Sequence, residues 1–115
     1  YPGKRLGLAD LPAGVARQWA AWWRHPDYVF SDKSLDHSGY DNLSVPIRAY
    51  SFTDDTYVSG DHHKSIVGRF ANADISWRHL HPSEAGQKQI GHFGFFRDPL
   101  KDSLWVEVAD WLADC

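Results

Sequence analysis

Two acidic residues and one histidine follow the two predicted strands of this sequence, at positions where α/β enzymes often carry an acid and a base. Asp54 and Asp55 follow the apolar segment 45–52, and His92 follows a second such segment, 75–81, by about ten residues. In open α/β sheets, functional groups collect at the carboxyl ends of the strands. A carboxylate that orients an imidazole is the supporting half of a nucleophilic triad, in which the histidine is the general base. The pattern therefore predicts an acid–base pair that includes His92.

The segments around these residues predict an α/β arrangement. Segments 45–52 and 75–81 have the length and composition of strands, and a helix with Ile66, Val67 and Phe70 lies between them. A helix that joins two strands is typical of a parallel crossover. A C-terminal helix is expected to pack against the sheet through one apolar face, made of Leu104, Trp105, Val108, Trp111 and Leu112. Parallel sheets are normally covered on both faces, so we expect further strands from a preceding half or from a second copy.

Residues 1–44 have a different character and are predicted to form a separate segment. Residues 1–9 are rich in Gly and Pro, and residues 31–44 are polar and loop-like. Between them lies an apolar stripe at helical spacing, made of Leu11, Val15, Trp19, Trp22 and Trp23. The three tryptophans are expected either to line an apolar substrate pocket or simply to pack.

The stretch 45–59 (VPIRAYSFTDDTYVS) resembles the late strand and acid turn of the α/β-hydrolase family. In that pattern a Val-Pro-Val-like start precedes the acid by ten residues, which puts the acid on Asp55 and leaves Asp54 as second choice. The stretch 90–96 (IGHFGFF) is similar to the Gly-His-Phe segment that carries the family's catalytic histidine, here His92. The family's chain order is nucleophile, acid, histidine, and the last two are present in that order.

The resemblance implies a fold and an activity. The fold would be the C-terminal portion of an α/β-hydrolase, with a lid helix in 1–44 and, in 45–115, two parallel strands, a crossover helix and a closing helix. The activity would be serine-dependent hydrolysis of an ester or similar acyl bond in a small molecule, without a cofactor. His92 would be the base and Asp55 the acid that orients it.

The nucleophile of that activity is expected outside this sequence. The 115 residues contain no Gly-x-Ser-x-Gly motif, which in the family carries the serine. They also contain no Met and open on Tyr1-Pro2-Gly3, which is typical of a loop. We therefore expect a piece of a longer protein, and we expect this piece alone to have no acyl-transfer activity.

Composition argues against several other classes. A formal net charge of −3 provides no basic face for phosphates, which argues against a nucleic-acid binder. No apolar run approaches the ~20 residues that cross a bilayer, so no membrane partner is expected. The only cysteine is Cys115, so no internal disulfide can form, and a reducing compartment such as the cytoplasm is expected.

Two further functions stay open as lesser alternatives. One is a metal-binding protein, since residues 61–81 contain several metal-ligating residue types. Their spacing is not distinctive, so no metal is expected. These residues are Asp61, His62, His63, His79 and His81. The main alternative is a non-catalytic interaction module that binds a partner or self-associates through an exposed sheet edge and a tryptophan-bearing helix.

Overall fold

The computed structural model describes residues 11–115, so the predicted loop 1–9 lies outside the described part. Its helices are α1 (Ala13–Trp23), α2 (Ser38–Asn42), α3 (Gly60–Val67) and α4 (Leu104–Ala113). Its strands are β1 (Ile47–Phe52) and β2 (Ile75–Leu80). Short 3-10 turns lie at Tyr28–Ser31, Pro82–Ala85, Gly94–Phe96 and Asp98–Leu100.

The two strands pair in parallel, with Ile47 opposite Ile75 and Phe52 opposite Leu80. Helix α3 lies between them in the chain, as the sequence predicts for a crossover. The described chain is therefore a mixture of helix and strand with a small two-stranded parallel sheet, which is compatible with the predicted α/β class.

The chain divides into two compact units, one up to His37 and one from Ser38 to Cys115. The boundary predicted from the sequence lies between residues 44 and 45, at the end of the polar segment 31–44 that is predicted to be a loop. In the structure this segment contains α2, which is tied to the second unit because Nδ2 of Asn72 donates to the carbonyl of Asp41 at 2.6 Å. In the first unit, α1 has no buried residue, and Phe30 in the following 3-10 turn is buried.

The strands are shorter than predicted at one end each. Strand β1 begins at Ile47, whose N–H donates to the carbonyl of Asp74 at 2.8 Å, because Pro46 has no N–H to offer the ladder. Strand β2 ends at Leu80 because His81 starts the next 3-10 turn, where its side chain accepts from the N–H of Ser83. The carboxyl ends of both strands therefore lie side by side, which is where the acid and the histidine loop begin.

The core of the second unit lies at these carboxyl ends. One cluster of buried apolar side chains joins the last residues of both strands to the segments that follow β2, and its members are Phe52, Leu80, Ala85, Ile90, Leu100 and Leu104. Burial of a Phe, Leu or Ile side chain stabilises a fold by about 1.5–3 kcal/mol. The loop that carries His92 is consequently anchored in the core through Ile90.

Helix α4 meets the sheet through the charge of Glu107 and through only part of the predicted apolar face. Leu104 is buried, but the exposed fraction of Trp105 is 36% and that of Leu112 is 60%, so the predicted packing of these two side chains is wrong. The carboxylate of Glu107 instead accepts from Arg48 of β1 and Arg78 of β2. Hydrophobic periodicity considers only apolar positions and cannot predict a contact made by charged side chains, which explains the wrong prediction for Trp105 and Leu112.

Within residues 11–115 the longest helix, α1, has 11 residues. No described helix reaches the length and apolarity that a bilayer crossing requires.

Candidate active site

The turn after β1 fixes the carboxylate of Asp55. Its Oδ1 atom accepts from the backbone N–H of Tyr57 at 2.8 Å and from that of Val58 at 3.0 Å. An aspartate that bonds backbone N–H groups two and three residues ahead forms an Asx-type turn, which orients its own side chain. The Asp55 side chain is 5% exposed, so its second oxygen, Oδ2, is held in a largely dry position.

The neighbouring acid, Asp54, has a different set of partners. Its Oδ2 atom accepts from the backbone N–H of Ile90 at 2.9 Å and from that of Gly91 at 3.0 Å. A carboxylate that accepts two N–H groups holds the loop that supplies them. Asp54, the second choice for the acid, therefore positions the histidine loop, whereas Asp55 lies against the histidine itself.

Gly91 completes the approach of this loop. Its φ is +64°, in the left-handed region, where a side chain is strained, and a Cβ built there would meet no neighbouring atom. Its N–H is held by Asp54, and the next residue is His92. The glycine turn thus directs the His92 side chain back toward the end of β1.

His92 and Asp55 form a hydrogen-bonded pair. Nδ1 of His92 lies 2.9 Å from Oδ2 of Asp55, across 37 residues of sequence. The imidazole packs beside the rings of Tyr57 and Phe93, at centroid distances of 5.1 and 4.7 Å. Since a third of the His92 side chain is exposed and Nδ1 is engaged, Nε2 is the ring nitrogen left to exchange protons with a ligand.

The surroundings of Asp55 favour its ionised form. Burial by itself would raise the pKa of Asp55, but the hydrogen bonds from His92, Val58 and Tyr57 outweigh burial and hold the pKa below its usual value. An ionised acid that accepts from Nδ1–H fixes the histidine in the tautomer with a lone pair on Nε2. The pair can therefore act as a general base toward a hydroxyl group placed next to Nε2.

A second imidazole faces the same carboxylate. Nε2 of His63, in the first turn of α3, lies 3.8 Å from Oδ2 of Asp55. This Nε2 atom is buried and has no hydrogen-bond partner among the described residues. In the sequence His63 is notable only as a metal-ligating residue type, although α3 starts five residues after Asp55 and lies directly after the acid turn.

An open cavity of about 240 Å³ borders Asp55, His63 and His92. Its remaining walls are mostly aromatic and come from β1 and the segment after His92; they include Tyr50, Phe52, Phe95 and Phe96. Aromatic walls next to an acid–base pair suit an apolar ligand group.

The three tryptophans of α1 lie in the first unit. Trp19 and Trp23 pack edge to face, with ring centroids 5.3 Å apart, and Trp22 donates its indole N–H to Asp32 at 3.1 Å. Trp19 is 37% exposed and Trp23 is 50% exposed. Their predicted contact with substrate stays a prediction.

The residues considered as metal ligands have separate roles. His62 bonds the side chain of Ser59, the cap of α3, at 2.7 Å, and His81 bonds Ser83 at 2.8 Å. Within residues 11–115, no group of three His, Cys, Asp or Glu side chains is arranged to hold a metal ion.

A further serine–histidine contact lies within the sheet, between Ser51 of β1 and His79 of β2. Oγ of Ser51 accepts from the indole N–H of Trp77 at 2.9 Å and shares a hydrogen bond with Nδ1 of His79 at 2.7 Å. Ser51 is 2% exposed. A buried hydroxyl with both partners in place satisfies the polar groups of the sheet and is poorly accessible as a nucleophile.

Comparison with protein-family models, with curated proteins and with solved structures found no match for this chain.

Proposed function

We propose that this chain supplies the acid and the base of a serine-type α/β-hydrolase that cleaves an ester or similar acyl bond. The observation that carries the proposal is the 2.9 Å contact between Nδ1 of His92 and Oδ2 of Asp55. Its support is the turn of backbone N–H groups on Oδ1, which orients the acid before any substrate binds.

The proposed reaction proceeds in two proton-balanced halves. Nε2 of His92 takes the proton of a serine hydroxyl while the serine oxygen attacks the acyl carbonyl carbon, and Asp55 stabilises the imidazolium. The imidazolium then gives that proton to the leaving alcohol as the acyl–oxygen bond breaks. Water repeats the sequence on the acyl-enzyme and releases the acid. The serine belongs to a segment outside these 115 residues, because they contain no Gly-x-Ser-x-Gly motif.

The cavity supports a substrate with an apolar acyl or aryl group. Its aromatic walls lie beside His92 and offer contacts to a flat or branched hydrocarbon. The single cysteine, Cys115, supports a reducing compartment, and the proposal places the enzyme in the cytoplasm.

The proposal is tested by measuring ester hydrolysis with the protein at its native length. Aryl esters of short fatty acids are the substrates, and the variants are His92→Ala and the control His62→Ala, an exposed histidine whose described partner is Ser59. We expect His92→Ala to lower kcat/KM by about 10³-fold or more and His62→Ala to leave it nearly unchanged. Equal activity of both variants would contradict the proposal.

A self-associating interaction module is the second candidate, and one observation favours it. Helix α1 has no buried residue, and its side chains Val15, Trp19 and Trp23 are all more than a third exposed. Exposed apolar stripes mark contact surfaces. This function is tested by analytical ultracentrifugation of the wild type and of Trp19→Ser. Self-association through α1 requires a concentration-dependent dimer in the wild type that the substitution weakens.

A further inference from the structure

Within the described residues, two imidazoles face the carboxylate of Asp55. Its Oδ2 atom lies 2.9 Å from Nδ1 of His92 and 3.8 Å from Nε2 of His63. Its other oxygen is already occupied by two backbone N–H groups. The second imidazole therefore approaches the same oxygen that orients the proposed base.

The Nε2 atom with which His63 faces Asp55 is not accessible to solvent. This atom is buried without a hydrogen-bond partner, and the Asp55 side chain is 5% exposed. A buried ring nitrogen without a partner is costly and calls for an explanation. The carboxylate of Asp55 is the acceptor within reach, although 3.8 Å is longer than a hydrogen bond. Hydrogen bonds in active sites are often long before the substrate binds.

The start of α3 fixes this approach. The Ser59 side chain accepts from the N–H of His62, and the Ser59 carbonyl accepts from the N–H of His63. The preceding residue, Val58, donates its N–H to Asp55. The acid turn and the first helical turn therefore form one hydrogen-bonded unit that carries His63 to the acid.

We infer that His63 is a positioning residue for the proposed reaction, whose Nε2–H holds the Asp55 carboxylate in the orientation that His92 needs. This inference rests on the proposed function for its catalytic consequence, while the contact itself is independent of it. His63 touches neither the reacting hydroxyl nor the leaving group and acts through Asp55 alone.

The charge state of His63 is consistent with this role. Burial lowers the pKa of His63, and this effect outweighs the opposing one from Asp55; His79 and His92 are the other titratable groups that face it. A neutral imidazole carries one N–H, and a neighbouring carboxylate favours the tautomer that directs this N–H toward it. His63 thus donates to Asp55 without competing with the imidazolium of His92 as a second cation.

The test uses the protein at its native length, labelled with 13C at the aspartate carboxyl carbons, with three substitutions. His63→Phe keeps the bulk and removes the donor, His63→Gln keeps a side-chain N–H, and His62→Phe is the control one residue away. Two quantities are measured: the pH midpoint of the Asp55 carboxyl signal, and the rate of labelling by a fluorophosphonate between pH 5 and pH 9.

Loss of the donor destabilises the carboxylate, so we expect the Asp55 midpoint in His63→Phe to rise by roughly half a unit or more. The labelling rate should fall on the order of 10-fold because the base is held less firmly. His63→Gln should restore most of both quantities, and His62→Phe should change neither.

An Asp55 midpoint that is unchanged in His63→Phe overturns the inference, whatever the labelling rate. A raised midpoint with an unaltered rate also overturns it, because the contact would then not serve the reaction. A raised midpoint in a protein whose wild type is never labelled upholds the contact between His63 and Asp55 and refutes the proposed function instead.

Discussion

His92 and Asp55, separated by 37 residues in the sequence, meet with Nδ1 of the imidazole 2.9 Å from Oδ2 of the carboxylate. Each side chain is fixed by its own turn. Asp55 is held by the N–H groups of Tyr57 and Val58, and the loop before His92 is held by Asp54. The pair is therefore set by two adjacent carboxylates with different tasks.

The different tasks of the two acids are separable by matched substitutions. Asp55→Asn keeps an oxygen for the backbone N–H groups but faces His92 with a neutral amide, which favours the wrong tautomer. We expect kcat/KM for aryl esters to fall by about 10²- to 10⁴-fold in this variant. Asp54→Asn keeps an oxygen that accepts from Ile90 and Gly91 and should lose at most several-fold. The reverse order of the two losses would assign the acid to Asp54.

Substitutions of two glycines with similar positive φ values distinguish an effect on fold stability from an effect on the position of His92. Gly91 and Gly86 have φ values of +64° and +68°, and a Cβ at either would meet no neighbouring atom. Gly91→Ala and Gly86→Ala should each lower the free energy of unfolding by about 1–2 kcal/mol, measured by urea denaturation. Gly91→Ala alone should also reduce ester hydrolysis, because residue 91 directs His92. Equal activity in both variants would show that the turn at Gly91 does not position the base.

Glu107 should make stability depend on acid pH. Burial opposes its ionisation, but hydrogen bonds from Arg78, Tyr50 and Arg48 lower its pKa from 4.5 to about 2. A folded-state pKa below the unfolded one contributes stability that is complete above pH 4.5 and is lost as the pH falls toward 2. After allowance for solvent screening, the loss should be roughly 1–2 kcal/mol.

The measurement for Glu107 is urea denaturation between pH 2.5 and pH 6. Glu107→Gln should flatten this dependence, whereas Asp110→Asn, at an exposed carboxylate of the same helix, should retain it. Identical slopes for wild type and Glu107→Gln would refute the assigned role of the cluster.

Carboxyl ends of parallel strands lie at one edge, so the sequence was sufficient to anticipate that an acid after β1 meets His92. The choice of Asp55 over Asp54 came from the motif resemblance. The sequence could not predict the role of Asp54, whose partners are the backbone N–H groups of Ile90 and Gly91. Nearly every residue has a backbone N–H, so residue types do not indicate such partners. His63 was missed because its type alone suggested a metal ligand.

The same limit applies to α4 and to the first unit. Apolar spacing predicted a buried Trp105, yet Trp105 is 36% exposed, and the charged Glu107 contacts the sheet by pairing with arginines of both strands. The spacing of Trp19, Trp22 and Trp23 predicted a helix correctly, and α1 spans Ala13–Trp23. What covers an apolar stripe depends on tertiary neighbours, which periodicity does not contain.

The central claim is that Asp55 and His92 serve a serine nucleophile, and intact mass with a fluorophosphonate probe tests it most directly. The account predicts one covalent adduct on the protein at its native length, on a serine outside these 115 residues, and none in His92→Ala. It also predicts no adduct on the isolated 115-residue chain. The absence of any adduct on the native protein, or an adduct that persists in His92→Ala, would contradict the account.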